Sequence, residues 1–377
     1  MGPKEVVALM FGLSLLVGSV FLPARPTRWV SALCVFAAAF VGFRIVLAPL
    51  SAGVIAGGLA LAAFLYLPAL AQRRVVFLVP AMVVLIFATT LLMYAAPGNP
   101  FANERVATPT VEAALRAKYG VPKSATDFFF VYMGRLIREG TLGPSVKVLG
   151  RSVEDLLLPA FPVSVSLGLF AVLLSVGIGA SLGIIAGLKK NSAADYASMG
   201  LALIGVSFPN FLIGAGLMVV FSIWLGVLPV AGWGGYRHLV MPAIALALPS
   251  AAVIARLARS GVVEVMQQDY IRAARAKGLP ESWVVVRHAL RGALTPVVSY
   301  LGPAAATTMT GSFVVEVLFG VPGMGQWFVK GAVNRDYSVV LGTAIVYFGM
   351  IIVFNLLVDL AYVWLDPRLR TQKASDA

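Results

Sequence analysis

The sequence predicts an all-α polytopic membrane protein, and three observations predict it. Of the 377 residues, 60% are hydrophobic and only 12% charged, with a mean hydropathy of +0.92, values outside the range of soluble domains. Nine apolar segments approach or exceed the ~20 residues a helix needs to cross about 30 Å of hydrocarbon. Lys and Arg gather in the short stretches between those segments, as in cytoplasmic loops beside anionic lipid. The formal net charge of +13 therefore points to a membrane surface, and nucleic acid is not read as a partner. Cys34 stands alone in an apolar run, which excludes an intrachain disulfide and a Cys-based metal site.

Six segments form one block: Val75 to Tyr94, Val163 to Leu188, Ala197 to Leu228, Leu239 to Ile254, Leu294 to Val317 and Val339 to Leu365. Ahead of it, Val6 to Leu22, Trp29 to Leu50 and Ala52 to Leu70 read as three further spans. A signal peptide competes for the first of these, but Lys4 is its only basic leading residue and Glu5 follows at once, so a retained span is the reading adopted. With alternating spans, Arg25 and Arg28, Arg73 and Arg74, Lys189 and Lys190, the run from Arg256 to Arg291, and Arg368, Arg370 and Lys373 all fall on one side. That side is assigned to the cytoplasm, which places the C-terminus inside and the N-terminus outside. The domain reading is an extension over 1–72, a six-span core over 73–370 and a cytoplasmic tail over 371–377.

The one long hydrophilic stretch, 96–161, falls outside. Its segment from Asp127 to Leu136, rich in Phe and Tyr, fits either an amphipathic helix on the membrane face or a helix packed on the pore. The cytoplasmic loop 256–293 carries the strongest local pattern. Val263, Met266, Tyr270 and Ala273 or Ala274 recur at helical spacing, with Glu264, Gln268, Arg272 and Arg275 opposite. Ala273, Ala274 and Ala276 permit close approach of a partner, Gly278 suits a left-handed C-cap, and Pro280 stops the helix. Docking to a partner and lying among lipid headgroups are both compatible with this pattern.

The run from Asp269 through Gly278 to Pro280, followed by Arg287-His288-Ala289-Leu290, resembles the EAA loop of ABC importer permeases in the form found in the oligopeptide and dipeptide permease family, closest to its oligopeptide B-type subunit. Ala96-Pro97-Gly98-Asn99-Pro100-Phe101 and Gly140-Thr141-Leu142-Gly143-Pro144-Ser145 are similar to signatures of that family. So is the stretch from Gly311 through Glu316, Pro322, Gly323 and Gly325 to Asn334-Arg335-Asp336-Tyr337, closing with Asp366-Pro367-Arg368. Two features depart from the general permease pattern. Arg272 stands where that pattern has Glu, with His288-Ala289-Leu290-Arg291 in place of Ile-x-Leu-Pro, and the region before Arg73 has no counterpart in a six-span member.

The resemblance implies a six-span type I ABC importer permease core in a bacterial inner membrane, with about three added N-terminal helices. It implies that the 263–278 helix docks on a cytoplasmic ATPase through Met266, Asp269, Tyr270, Arg272, Ala273, Ala274, Arg275 and Gly278, with Arg287 and His288 packing back. It further implies a second homologous permease subunit, two ATPase subunits or domains, and an extracytoplasmic peptide-binding protein. No G-x-x-x-x-G-K-[ST] phosphate loop occurs in the chain, so it is read as a transport subunit and not an enzyme, with no cofactor of its own; ATP and Mg belong to the partner ATPases. The cargo reading is oligopeptide, with dipeptide, glutathione or nickel, or an autonomous secondary transporter, as alternatives.

Charged and polar residues inside spans are costly, about 2.5–3.5 kcal/mol at mid-membrane, and must face protein or water. Glu316 reads as either a substrate-path group or a structural one. The candidate path or outer gate comprises Glu316, Pro322, Gly323, Gly325, Asn334, Arg335, Asp336 and Tyr337. Asn355 and Asp359, four residues apart, read as an interhelical hydrogen-bonding pair, and Arg44 as snorkelling. His238 and His288 are too distant to form a metal site.

Overall fold

The computed structural model describes residues 69–98, 100–101 and 109–365. The expected N-terminal spans up to Pro68, Cys34, Arg44, Asn99 and the tail from Asp366 onward lie outside the described residues. The helices, in chain order, are α1 (Ala69–Ala95), α2 (Pro109–Tyr119), α3 (Ala125–Arg138), α4 (Val153–Leu188), α5 (Ala193–Ser207) and α6 (210–224), the last made of Asn210–Leu217 and a π-helical Met218–Trp224. There follow α7 (Tyr236–Val265), α8 (Asp269–Ala276) and α9 (281–293), which passes through Glu281–Trp283, π-helical Val284–Ala289 and Leu290–Ala293. α10 (Thr295–Leu318), α11 (Met324–Asn334) and α12 (Tyr337–Leu365) complete the set. Among the described residues the only extended pairing is an isolated bridge, Pro144 to Ser152. The all-α polytopic class therefore holds.

Several boundaries differ from expectation, each for a local reason. Arg73 and Arg74 lie within α1 and not in a loop, because no Gly or Pro interrupts Ala69 to Val79. α4 begins at Val153 instead of Val163. Ser152 Oγ accepts from the Asp155 amide at 3.3 Å while Asp155 Oδ2 accepts from the Ser152 amide at 2.9 Å, a capping box that starts the helix ahead of Pro159 and Pro162. The expected single span from Ala197 to Leu228 is broken: α5 and α6 meet at 109°. Phe208 is extended (φ −117°, ψ 141°) ahead of Pro209, the conformation that a following proline favours.

Among the described residues three helices are long and apolar enough to cross a membrane, Val153–Leu188, Tyr236–Val265 and Tyr337–Asn355, and the bent α5–α6 pair adds a fourth when its two arms are counted as one span. Pro80–Ala95 is a shorter apolar helix. α10 occupies the expected place but falls short of that apolarity, since Thr295, Ser299, Thr307, Thr308, Thr310, Ser312 and Glu316 lie along it.

The chain forms two compact units, Met1–Asp155 with Lys330–Phe348, and Leu156–Val329 with Gly349–Ala377. In the first, α3 packs on α1 through its buried Phe128, Tyr132 and Leu136, and the Phe87 and Phe129 rings meet edge-on at 5.3 Å. Tyr94 stacks obliquely on Tyr337 at 4.9 Å and donates its hydroxyl to the Pro122 carbonyl at 2.7 Å. The aromatic helix is thus packed on α1 by one face, while Phe130, Val131 and Ile137 stay exposed on the other.

The second unit is centred on α7, whose Ala243, Ala245, Ala247, Ala251, Ala252, Ala255 and Ala258 are all buried. These small side chains let neighbours approach to backbone contact. Gly179, Gly183 and Gly187 of α4 recur every fourth residue along α7. A Cβ at Gly179 would stand 2.5 Å from the Ala251 carbonyl oxygen, one at Gly183 2.6 Å from Ala258 Cβ, and one at Gly187 2.6 Å from Val262 Cβ.

Candidate functional site

The candidate coupling loop is a helical hairpin within the second unit. The helix expected to continue from Val263 stops at Val265, and a turn over Met266 to Gln268 precedes α8. That turn rotates the pattern. Ile271 and Ala274 are buried against Val284 and Ala289, with Val265, Met266 and Leu279 packed around them, so the hairpin has a small core of its own. Asp269, Tyr270 (49% exposed), Arg272, Ala273, Gly278 and Arg287 face outward, and His288 is half-buried. Met266 and Ala274 therefore belong to the hairpin interior, and the presented surface is carried by Tyr270 and Ala273, extended by exposed Trp283 and Val286.

Gly278 has φ +77°, the left-handed C-cap expected of it, and Pro280 follows as the N-cap of α9. Across this turn Arg275 makes a bidentate pair with Glu281, Nε to Oε2 at 3.0 Å and Nη2 to Oε1 at 2.6 Å. Hydrogen bonding to Arg275 holds the Glu281 carboxyl below the usual carboxylate range. Arg275 is thus already engaged within the hairpin. Arg272 pairs with Asp269 at 3.3 Å on the exposed surface. The hairpin joins α7 at Gly261, where a Cβ would collide with the Ala293 carbonyl oxygen.

A second engaged pair lies close by on α7, two residues before Gly261. Arg259 of α7 holds Asp195 of α5 bidentately, Nε to Oδ1 at 2.6 Å and Nη2 to Oδ2 at 2.7 Å, and Asp195 is 2% exposed. Asn191, at φ +62°, donates its amide to the same carboxylate at 2.9 Å.

Glu316 is fully buried, and both carboxylate oxygens are used. Oε1 accepts from Ser164 Oγ at 2.8 Å and Oε2 from the Gly325 amide at 2.7 Å; Ser164 Oγ in turn accepts the Met324 amide at 2.8 Å. The carboxylate closes the first turn of α11, where a negative group is stabilised by unpaired N–H groups. Gly323 and Gly325 are buried and lack side chains because any Cβ there would meet this carboxylate, and Pro322 is exposed beside them. This engagement of both oxygens is what the structural reading of Glu316 expects.

Asn334, Arg335, Asp336 and Tyr337 gather in the first unit with two other signature stretches. Asp336 caps α12, accepting from Val339 N at 3.3 Å, and also accepts from Ser145 Oγ at 2.5 Å and Lys147 N at 3.1 Å. Arg335, at φ +60°, donates to the Ala96 and Pro97 carbonyls and passes over Gly98, where a Cβ would stand 2.6 Å from its Cζ. Asn334 is exposed and Tyr337 buried. Ala96 to Gly98, the 140–145 stretch and 334–337 thus form one clasp. Asn355 donates to the Ile351 carbonyl at 3.0 Å within its own helix, and the side chain of Asp359 lies outside the described residues.

The sequence reading missed the Asp195–Arg259 and Arg275–Glu281 pairs. The second had a signal, opposite charges flanking a Gly-Leu-Pro turn; the first, 64 positions apart, had none.

Residues 179–371 match the family of binding-protein-dependent transport system inner membrane components. The chain is 42% identical over 300 residues to the oligopeptide transport system permease protein OppB of Haemophilus influenzae, covering 79% of this chain and 98% of that protein. OppB of Escherichia coli K12 is 44% identical with the same coverage. The dipeptide transport system permease protein DppB of Bacillus subtilis is 44% identical over 285 residues, 76% of this chain and 92% of its own. The chain therefore belongs to the binding-protein-dependent transport system inner membrane components, as an ABC permease of the oligopeptide and dipeptide branch.

Proposed function

We propose that this permease is the pore-forming subunit of an ATP-driven oligopeptide importer, coupled to separate ATPases through the α8–α9 hairpin. The observation that carries the reading is the hairpin's own buried core, which makes it a rigid lever with Tyr270 and Ala273 presented outward. An ATPase gripping that face moves α8. The displacement passes through Ile271 and Ala274 to α9, and through the Gly261 contact to α7 and the helices packed on it. The second permease subunit, two ATPases holding ATP and Mg, and a peptide-binding protein on the far side of the membrane complete the machine, with the hairpin and the C-terminus on the cytoplasmic side. By the alternation of spans, the stretches Ala96 to Gly98, 140–145 and 334–337 belong to the extracytoplasmic side.

The test is Ala273→Glu, on the exposed face, in place of a change at Ala274, which would damage the hairpin core. The variant is expected to insert and fold normally while ATPase co-purification falls at least about tenfold, ~1.4 kcal/mol of interface energy, and peptide uptake fails with it. Full ATPase recovery and uptake would sink the coupling assignment. A second reading, dipeptide cargo, is favoured by the equal identity of the Bacillus subtilis relative. Uptake of labelled di-, tri- and pentapeptides by the native complex separates the two.

A further inference from the structure

Among the described residues of the first unit, four buried polar atoms have no hydrogen-bond partner: Tyr132 Oη, Arg135 Nη1, Glu154 Oε2 and Ser338 Oγ. Tyr132 is 1% exposed and Ser338 0%. They come from α3, the first turn of α4 and the first turn of α12; Arg135, Glu154 and Ser338 meet the turn that follows Gly140, and Tyr132 shares the α3 face of Arg135 three residues before it. A Cβ at Gly143 would stand 2.8 Å from Arg135 Nη1 and 3.6 Å from Ser338 Oγ. The same turn holds Glu154, whose Oε1 accepts the Leu142 amide, and Val153, whose amide donates to the Gly143 carbonyl at 2.9 Å. Burial raises the Tyr132 phenol, and the charges that act on it are Glu154, raising, and Arg135, lowering. Gly120 and Gly143, both in the left-handed region at φ +64° and +90°, leave the guanidinium room between them.

Buried polar groups in folded proteins are almost always paired, with protein or with ordered water. The four atoms supply a guanidinium donor, a carboxylate acceptor and two hydroxyls that serve as either. An anion seated among them would face Glu154, and a cation would face Arg135. Water meets neither objection, since it accepts from Arg135 and one hydroxyl while donating to Glu154 and the other. We propose that Tyr132, Arg135, Glu154 and Ser338 form a binding site for buried water that joins α3, the 140–145 turn, α4 and α12.

The site is read without a transport assay, so its failure is distinct from failure of the importer reading. A structure of the native complex at a resolution that shows ordered water is expected to hold a density peak within about 3.2 Å of at least three of the four atoms. Tyr132→Phe and Ser338→Ala are each expected to lower the thermal midpoint of the purified complex, and the double variant to lower it by less than the sum, because both hydroxyls bind the same water. An absent peak overturns the proposal. So do singles that leave the midpoint unchanged or raise it, as deletion of a truly unpaired hydroxyl does. A direct Tyr132–Glu154 hydrogen bond with a neutral Ser338→Ala, or a peak that changes height when chloride is exchanged for bromide, overturns it as well.

Discussion

Replacing Glu316 separates a helix cap from a substrate-path carboxylate. In Glu316→Ala the Gly325 amide loses its acceptor and Ser164 its partner, both in a fully buried setting. Hydrogen bonds to a charged group contribute about 1.5–3 kcal/mol each, so the loss is on the order of 3–5 kcal/mol after partial relaxation. In Glu316→Gln the side-chain oxygen still accepts from Gly325 and the amide donates to Ser164 Oγ, whose own hydroxyl hydrogen turns to a backbone carbonyl of its helix, so the main loss is the charge, costing about 1 kcal/mol at a helix N-terminus. The assay is thermal unfolding of the purified complex beside peptide uptake in vesicles. Glu316→Ala is expected to drop the midpoint by several degrees and uptake with it, while Glu316→Gln keeps both near wild type. If Glu316→Gln abolishes uptake with an unchanged midpoint, the carboxylate acts on substrate and the capping argument is refuted.

Gly261→Ala forces a methyl into the Ala293 carbonyl, which as backbone cannot swing away; a loss of about 2 kcal/mol or more is expected, read as a lowered midpoint, and a neutral result would show that the α7–α9 contact is loose. Arg259→Ala strands buried Asp195 and should destabilise more than the double change Asp195→Ala with Arg259→Ala, a ranking measured by the midpoints of the three variants. For Glu281, whose folded pKa is depressed by Arg275, the stabilisation is complete above the usual carboxylate range and fades as pH falls below it. The amide protection factors over 269–281, corrected for the intrinsic pH dependence of exchange, should therefore fall below about pH 4 in wild type but stay constant in Glu281→Gln.

The sequence carried the positions of most helices because long apolar runs leave few alternatives: Leu294 to Val317 was expected and Thr295–Leu318 is found. Gly278 and Pro280 marked the hairpin turn because their backbone constraints are local. The turn at Met266 to Gln268 left no signal in the periodic count from Val263, so Met266 and Ala274, expected on the docking face with Tyr270, lie in the hairpin core beside Ile271 while Tyr270 and Ala273 stay exposed. Pro209 was visible, yet the surrounding apolar run outweighed it. Glu316 was ambiguous because its partners, Ser164 and Gly325, are set by tertiary packing and leave no spacing in the chain.

The elbow between α5 and α6 bears on how the protein is made. Backbone groups released at such a break cannot be left to hydrocarbon and need protein or water beside them. Gly205 lies against the Leu248 carbonyl of α7, and Asn210 against Gly311 of α10. Both covering helices emerge from the ribosome after the elbow does. The segment that forms α5 and α6 thus reaches its bent form only when Leu248 and Gly311, both downstream of it, have been delivered to the bilayer.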